Sequence, residues 1–403
     1  MEKVYFKDLF DVSSGLSKGA KELANGDNPF LTFKTIFSNT FLPDVITDTA
    51  NTNEIEQEKY SVQRGDVFLT RTSETTNELG MSSVALKDYP NAVFNGFSKR
   101  LRLKPEISTA IDLKYLGYFL RSRLFRDQVD AMSNTSTRAS LNIEMINRLY
   151  LVLPDLSMQE KIGNTLYLLD DKIKNNSAIN QNLQKQAKTV FDSIINNTTQ
   201  SERLSSFISI KHGFAFKGDG IAPEDNGIVL VTPGNFKIGG GFQENKCKFF
   251  HSEYSNDYVL QPNDLIITMT DLSKDGDTLG YGALVPCNSD RVYLHNQRIG
   301  LVRFLTDTLP KDYVYWFLRS DYYHKCIVGS ASGSTVKHTS PSRILEQIIP
   351  IPQESDYDKI ILLQIIDNTI ASNELESIRL QRIRDVLLPR LMSGELDVTS
   401  IDI

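Results

Sequence analysis

The tetrapeptide "FLRS" occurs at Phe119–Ser122 and again at Phe317–Ser320, 198 positions later, each time with a tyrosine four residues upstream, Tyr115 and Tyr313. The same offset aligns the chain without gaps. Gly15 meets Gly213, Tyr60 meets Tyr258, Gln63 meets Gln261, and "GDVFLTRT" (65–72) meets "NDLIITMT" (263–270). "VAL" (84–86) lies over "GAL" (282–284), Arg100 and Leu103 over Arg298 and Leu301, Ser136 over Ser334, Pro154 over Pro352, and Lys161 over Lys359. The chain is therefore two tandem copies of one unit. A period this long excludes a solenoid, so each copy is a domain-sized module.

Each copy reads in two parts. About 150 residues of mixed α/β character come first, with short β-rich runs such as "DVFLT" and "DLIITMT" between Gly, Asn, Asp and Pro turns. A helix follows over "LKYLGYFLRSRLFRDQV" or "DYVYWFLRSDYYHKCI"; in the first, Leu116, Phe119, Leu120 and Leu124 share one face and Arg121 and Arg123 point elsewhere. Next comes a hydroxyl-rich loop, "SNTSTRAS" or "GSASGSTVKHTS", leading to a short helix whose start is marked by Asn142 or by Ser340 with Pro341 behind it. Such a loop beside a helix start can contact phosphates and base edges. The second part is a heptad seam. Ile162, Leu166, Leu169, Ile173, Asn176, Asn180, Leu183, Ala187, Val190 and Ile194 step by four and three, as do Leu362, Ile366, Thr369, Asn373, Glu376, Leu380, Ile383 and Leu387. Both seams are polar at the centre. Helices of this length are rods of roughly 60 Å and need a partner for their stripes, which the other rod supplies if the two run antiparallel. Ile361, Ile365 and Ile370 lie outside the seam and suit either a core or a partner surface.

The expected fold is mixed α/β (α+β): two tandem modules at 1–154 and 201–352, separated by two long antiparallel coiled-coil helices at 155–200 and 353–403. No apolar run approaches the roughly 20 residues of a membrane span, and "MEKVYFKDLF" lacks the basic start and apolar core of a signal peptide. Three cysteines, Cys247, Cys287 and Cys326, suit reduced thiols, so a cytoplasmic protein is expected. Net charge is −6, yet residues 90–150 hold 10 basic against 5 acidic side chains, a local field compatible with nucleic acid or with an ordinary solvated face.

Chemistry-bearing motifs are missing. "IGGGF" and "GSASGSTVK" match neither GxGxxG nor a P-loop, there is no Asn/Asp-Pro-Pro-aromatic motif, and the five histidines show no metal spacing. Asp66 and Asp264 are read as turn-capping carboxylates before a strand. No catalytic or metal residue is assigned.

The ending "LLPRLMSGELDV" (387–398), the Pro-x-x-x-x-Gln-Glu-Lys-Ile step at Pro154–Ile162, and the two-copy plan with helical spacers resemble the specificity subunit of type I restriction-modification systems over essentially the whole chain. The resemblance implies two target-recognition domains on the halves of a bipartite, asymmetric site in double-stranded DNA, with the helices as a ruler. It further implies partners: modification (methyltransferase) subunits, two of them, and through them restriction subunits. S-adenosylmethionine, ATP and Mg²⁺ would belong to those partners, with no cofactor bound by this chain. The first spacer departs from the pattern, ending "VFDSIINNTTQ", which puts partner symmetry in question. A self-contained methyltransferase or nuclease, and a coiled-coil scaffold without sequence specificity, remain the other readings.

Arg or Lys reads guanine and Asn or Gln reads adenine. On that rule the DNA-binding candidates are Arg71, Lys99 and Arg138 in the first copy. In the second they are Lys211, His212, Asn296, Gln297, Lys337 and His338. Lys211 and His212 precede "GFAFKG", which is similar to the flexible entry loop of the family.

Overall fold

The computed structural model describes residues 2–24, 26–72, 78–133 and 140–398. Its chain divides into two compact units, Met1–Lys174 with Ile378–Ile403, and Asn175–Ser377. Both are mixed α/β.

The first unit holds an antiparallel sheet in the order Phe10–Ser14, Ser98–Leu103, Val67–Thr70, Ser82–Val84. The second repeats it as Ile208–His212, Ile299–Phe304, Leu265–Thr268, Gly282–Leu284. The central strands are apolar on both faces because both faces are covered. Val67 and Leu69 enter one core and Phe68 another; Leu265 and Ile267 enter one and Ile266 another. Each module is closed by a terminal strand pair, Glu2–Tyr5 with Tyr150–Leu153 and Ser201–Arg203 with Ile348–Pro350.

Strand pairing corrects the gapless alignment. The turn before the central strand keeps the offset: Gln63 N donates to Asp66 Oδ2 at 2.8 Å and Gln261 N to Asp264 Oδ2 at 2.9 Å. The residue preceding each aspartate has positive φ, 89° at Gly65 and 68° at Asn263, a conformation that favours glycine and asparagine. Beyond the strand the offset grows. Thr70 N bonds Met81 O where Thr268 N bonds Tyr281 O, and Arg71 N bonds Phe97 O where Met269 N bonds Arg298 O. Val84 therefore corresponds to Leu284, and Arg102 rather than Arg100 has an arginine counterpart, Arg303. The correspondence has a physical consequence, since Arg102 pairs with Asp66 at 2.7 Å and Arg303 with Asp264 at 3.5 Å. Both carboxylates thus cap a turn and hold a strand. Further on, the offset returns to 198: Tyr115 Oη donates to Val152 O and Tyr313 Oη to Pro350 O.

The FLRS segment is a break between helices, not part of one continuous helix. Leu113–Phe119 ends there and Arg123–Ser133 begins; Lys311–Phe317 and Asp321–Gly329 repeat the break, with Ser320 Oγ capping Tyr323 N. Leu116, Phe119 and Leu120 are buried as expected, but Leu124 is exposed. Arg121 turns inward. Its guanidinium donates to the carbonyls of Ile36, Phe37, Asn39 and Ser82, while burial pushes its pKa down to about 10.

Two long helices, Leu156–Asn196 and Tyr357–Ser393, contribute to both units. In the first unit, Ile162 and Leu166 share a core with Leu391 and Met392, and Arg384 pairs with Asp170 at 2.6 Å. In the second, Ala187, Phe191 and Ile194 share a core with Ile360, Leu363, Ile366 and Ile370. Both sets of contacts run antiparallel. The buried stripe of the second helix differs from the heptad reading: Leu362 is exposed, and Ile360, Leu363 and Ile370 are buried instead. The helix must face its module as well as its partner helix, so its buried positions widen beyond one seam. The polar centre is a hydrogen-bonded layer. Asn176 Nδ2 donates to Glu376 Oε2 at 2.8 Å, Asn373 Nδ2 to Asn180 Oδ1 at 2.8 Å, and Asn180 Nδ2 to Ile370 O at 3.3 Å. Pairing of this kind penalises a shifted register, which would leave amides buried without partners.

One buried acid gives a testable pH dependence. Asp367 is nearly buried, accepts from Trp316 Nε1 at 2.9 Å, and is pushed up from 3.8 to about 7, chiefly by burial. Between those two values the folded state keeps a proton that the unfolded state has lost, so this group's contribution to stability falls as pH rises. Asp367→Asn keeps an acceptor for Trp316, and relative to wild type it should gain on the order of 2 kcal/mol between pH 4.5 and pH 7.5. Urea unfolding followed by fluorescence of Trp316, the only tryptophan, measures this. An unchanged difference between variant and wild type across that range would refute it.

Candidate nucleic-acid interface

In both modules the first sheet strand runs into a glycine pressed against the neighbouring backbone. A Cβ on Gly15 would lie 2.0 Å from Asn95 O, and one on Gly213 would lie 2.3 Å from the carbonyl oxygens of His295 and Asn296. No side chain fits there, and the contact lets Leu16 N reach Phe94 O and Phe214 N reach His295 O. Asn95 and Asn296 form the adjoining turn by accepting from Phe97 N at 2.8 Å and Arg298 N at 3.0 Å. The Asn296 oxygen is thus committed to backbone.

In the second module this corner borders a shallow cleft of 530 Å³ lined by His212, Gly213, Met269, Thr270, Gln297, Arg298, His338 and Thr339. The hydroxyl-rich loop forms one wall as a short strand, with Thr270 opposite His338 and Asp271 opposite Lys337. Thr270 Oγ1 and His338 Nδ1 lie 3.2 Å apart. The structure thus gathers His212, Gln297 and His338 and sets Lys337 beside them. It does not gather Lys211, whose ammonium donates to Asp257 O at 3.0 Å and lies over the Tyr258 ring. Arg298 lines the cleft and was not singled out from the sequence; its adjacency to Gln297 was the available signal.

The same corner of the first module is built differently. Thr72 bridges Ser140 as Thr270 does His338, and Leu141 N bonds Arg71 O as Thr339 N bonds Met269 O. Arg71 is exposed there. Lys99 pairs with Ser14 across the strands, donates to Ser14 Oγ at 2.6 Å and is only 6 % exposed. Burial and the nearby Arg71 push its pKa down. Arg138 lies outside the described residues. Part of the basic excess of residues 90–150 is internal: Arg100, Arg102, Arg121 and Arg126 all bond backbone carbonyls, and Arg102 also pairs with Asp66. Those four arginines therefore do not add to a solvated basic face.

The family model described as "Type I restriction modification DNA specificity domain" matches residues 1–185. The type I restriction enzyme EcoBI specificity subunit of Escherichia coli is 28 % identical over 199 residues, which is 48 % of this chain and 38 % of that protein. The chain thus spans well under half of that relative. The MjaIX specificity subunit of Methanocaldococcus jannaschii is 23 % identical over 98 % of this chain and 93 % of its own length. The crystal structure of the type I restriction-modification S subunit from M. genitalium superposes with a TM-score of 0.62 at 15 % identity, covering 97 % of this chain and 95 % of that one. Similarity to type I specificity subunits thus runs along the whole chain, from the family model at residues 1–185 to a relative aligned over 98 % of it. As in that S subunit, the fold extends over both modules and both long helices, well beyond the 185 residues that the family model covers. Among the described residues, no helix is long and apolar enough to cross a membrane.

Proposed function

We propose that this chain supplies DNA sequence recognition to a type I restriction-modification complex, each module reading one half of a bipartite, asymmetric target. The observation that carries this reading is one corner built twice with unlike linings. Gly15 and Gly213, Asn95 and Asn296, and the Thr72 and Thr270 bridges recur, while Ser14, Arg71 and Ser140 face the positions of His212, Met269 and His338. A shared frame with different side chains set into it lets the two modules meet DNA differently, and base edges are told apart by donor and acceptor pattern. His212, Gln297, Arg298, Lys337 and His338 are the proposed contacts of the second module.

Partners follow from the helices. In the second unit Leu183, Val190, Leu362, Ile365 and Ile366 line an open apolar groove of 570 Å³, and in the first Leu168, Ile383 and Val386 are exposed on the helices. Apolar side chains of this size favour burial against another chain. We assign them to modification subunits, one per unit, which would bring S-adenosylmethionine and carry the restriction subunits with their ATP and Mg²⁺. Catalysis is assigned to those partners. Mapping methylated bases in host DNA with and without the gene tests the reading. A two-part motif should appear only with the gene, and an unchanged methylation map would refute it.

A further inference from the structure

The Lys99 corner is unlike the rest of the molecule. A lysine that is 6 % exposed, the second residue of the strand Ser98–Leu103, has a serine hydroxyl for a partner. Among the described residues no carboxylate pairs with it or with Arg71, and the charge that acts on it is the like charge of Arg71. Burying an ammonium without a counter-charge is unfavourable. The arrangement therefore calls for an explanation outside the fold.

The second module shows that the fold does not need these charges. Strand pairing places Met269 where the first module has Arg71 and Gly300 where it has Lys99. Met269 is buried, and its sulfur lies 3.4 Å from where a Cβ on Gly300 would be. The same strands thus also close on an apolar plug. In the first module two cations and a hydroxyl take its place beside the turn that frames the proposed reading corner.

We propose that Lys99, Arg71 and Ser14 form a seat for one phosphate of the DNA backbone, so that these three side chains anchor the first module on DNA while base reading falls to other groups of that module. The inference rests on the chain being a DNA-binding subunit. An ammonium is a compact point charge without the planar fork that distinguishes bases, and a sunken cation next to a hydroxyl suits a single phosphate oxygen. Phosphate contacts fix the register of a protein on the duplex and carry no sequence information.

The test uses the full-length chain and two duplexes, one containing the target mapped by methylation and one scrambled, titrated over a range of salt. Lys99→Met should weaken binding about tenfold on both duplexes and reduce the slope of log K against log salt by about 1. Arg71→Gln, at an exposed position, should share that signature more weakly. Thermal unfolding of Lys99→Met should match or exceed wild type, because the uncompensated charge is gone, and this separates lost binding from lost folding. Loss confined to the mapped duplex would make Lys99 a base reader and overturn the proposal, as would an unchanged salt slope. Inorganic phosphate protecting wild type against heat as well as the duplex does would assign the seat to a free anion and also overturn it. If wild type itself does not prefer the mapped duplex, the recognition function fails independently of this site.

Discussion

Arg121→Ala is expected to destabilise the protein by about 3–5 kcal/mol, the range for removing one partner from a buried, charged hydrogen-bond cluster. The guanidinium ties the carbonyls of Ile36, Phe37 and Asn39, at the end of the helix Phe33–Ser38, to Ser82 O on the sheet edge. Removing it leaves those carbonyls short of donors in a place that water does not easily reach. Arg121→Lys should not rescue, because one ammonium cannot span acceptors arranged around a planar fork. Arg319→Ala is the internal comparison: its guanidinium holds Gly239 O and the Tyr315 hydroxyl and lies over the Trp316 ring, fewer acceptors than Arg121 has. It should lose less than Arg121→Ala. Chemical denaturation of the three variants measures this, and equal losses for Arg121→Ala and Arg319→Ala would refute the carbonyl-strap account.

On the proposed function, exchanging residues 1–153 for the corresponding module of a type I specificity subunit should change one half of the DNA target and leave the other half intact. The cut is favourable because Glu2–Tyr5 pairs with Tyr150–Leu153, so both ends of the exchanged segment lie on one closed strand pair. The transplant has one structural requirement. Leu391, Met392 and Val398 share a core with Leu116, Phe119 and Leu149, so the incoming module must keep apolar residues at those places. Methylation mapping reads the outcome, and a change in both halves would show that the modules do not read independently.

Much of this was legible in the sequence because repetition and periodicity survive in letters. The cap residues Asn142 and Ser340 lie where expected, and the turn carboxylates do what their spacing suggested. The alignment failed where short apolar words matched by chance: "VAL" and "GAL" share letters, whereas the strand pairing sets Val84 against Leu284. FLRS was read as one face of a helix because a helix break leaves no period to detect. Its arginine was placed outside the core because charge usually is, yet guanidinium is tolerated inside where carbonyls surround it.

By itself the sequence determined that one unit is written twice, that each copy is a mixed α/β module followed by a long helix, and that the helices are polar at mid-seam. These depend on local pattern, which the chain carries wherever it goes. Only the tertiary structure decided which residues correspond between the copies, that Lys99 is sunk beside Arg71 while Met269 and Gly300 close the same corner, and that Arg100, Arg102, Arg121 and Arg126 of the first module turn to backbone carbonyls. Those outcomes depend on strand register and on burial, which arise when segments distant in sequence meet, and no local pattern of letters encodes them.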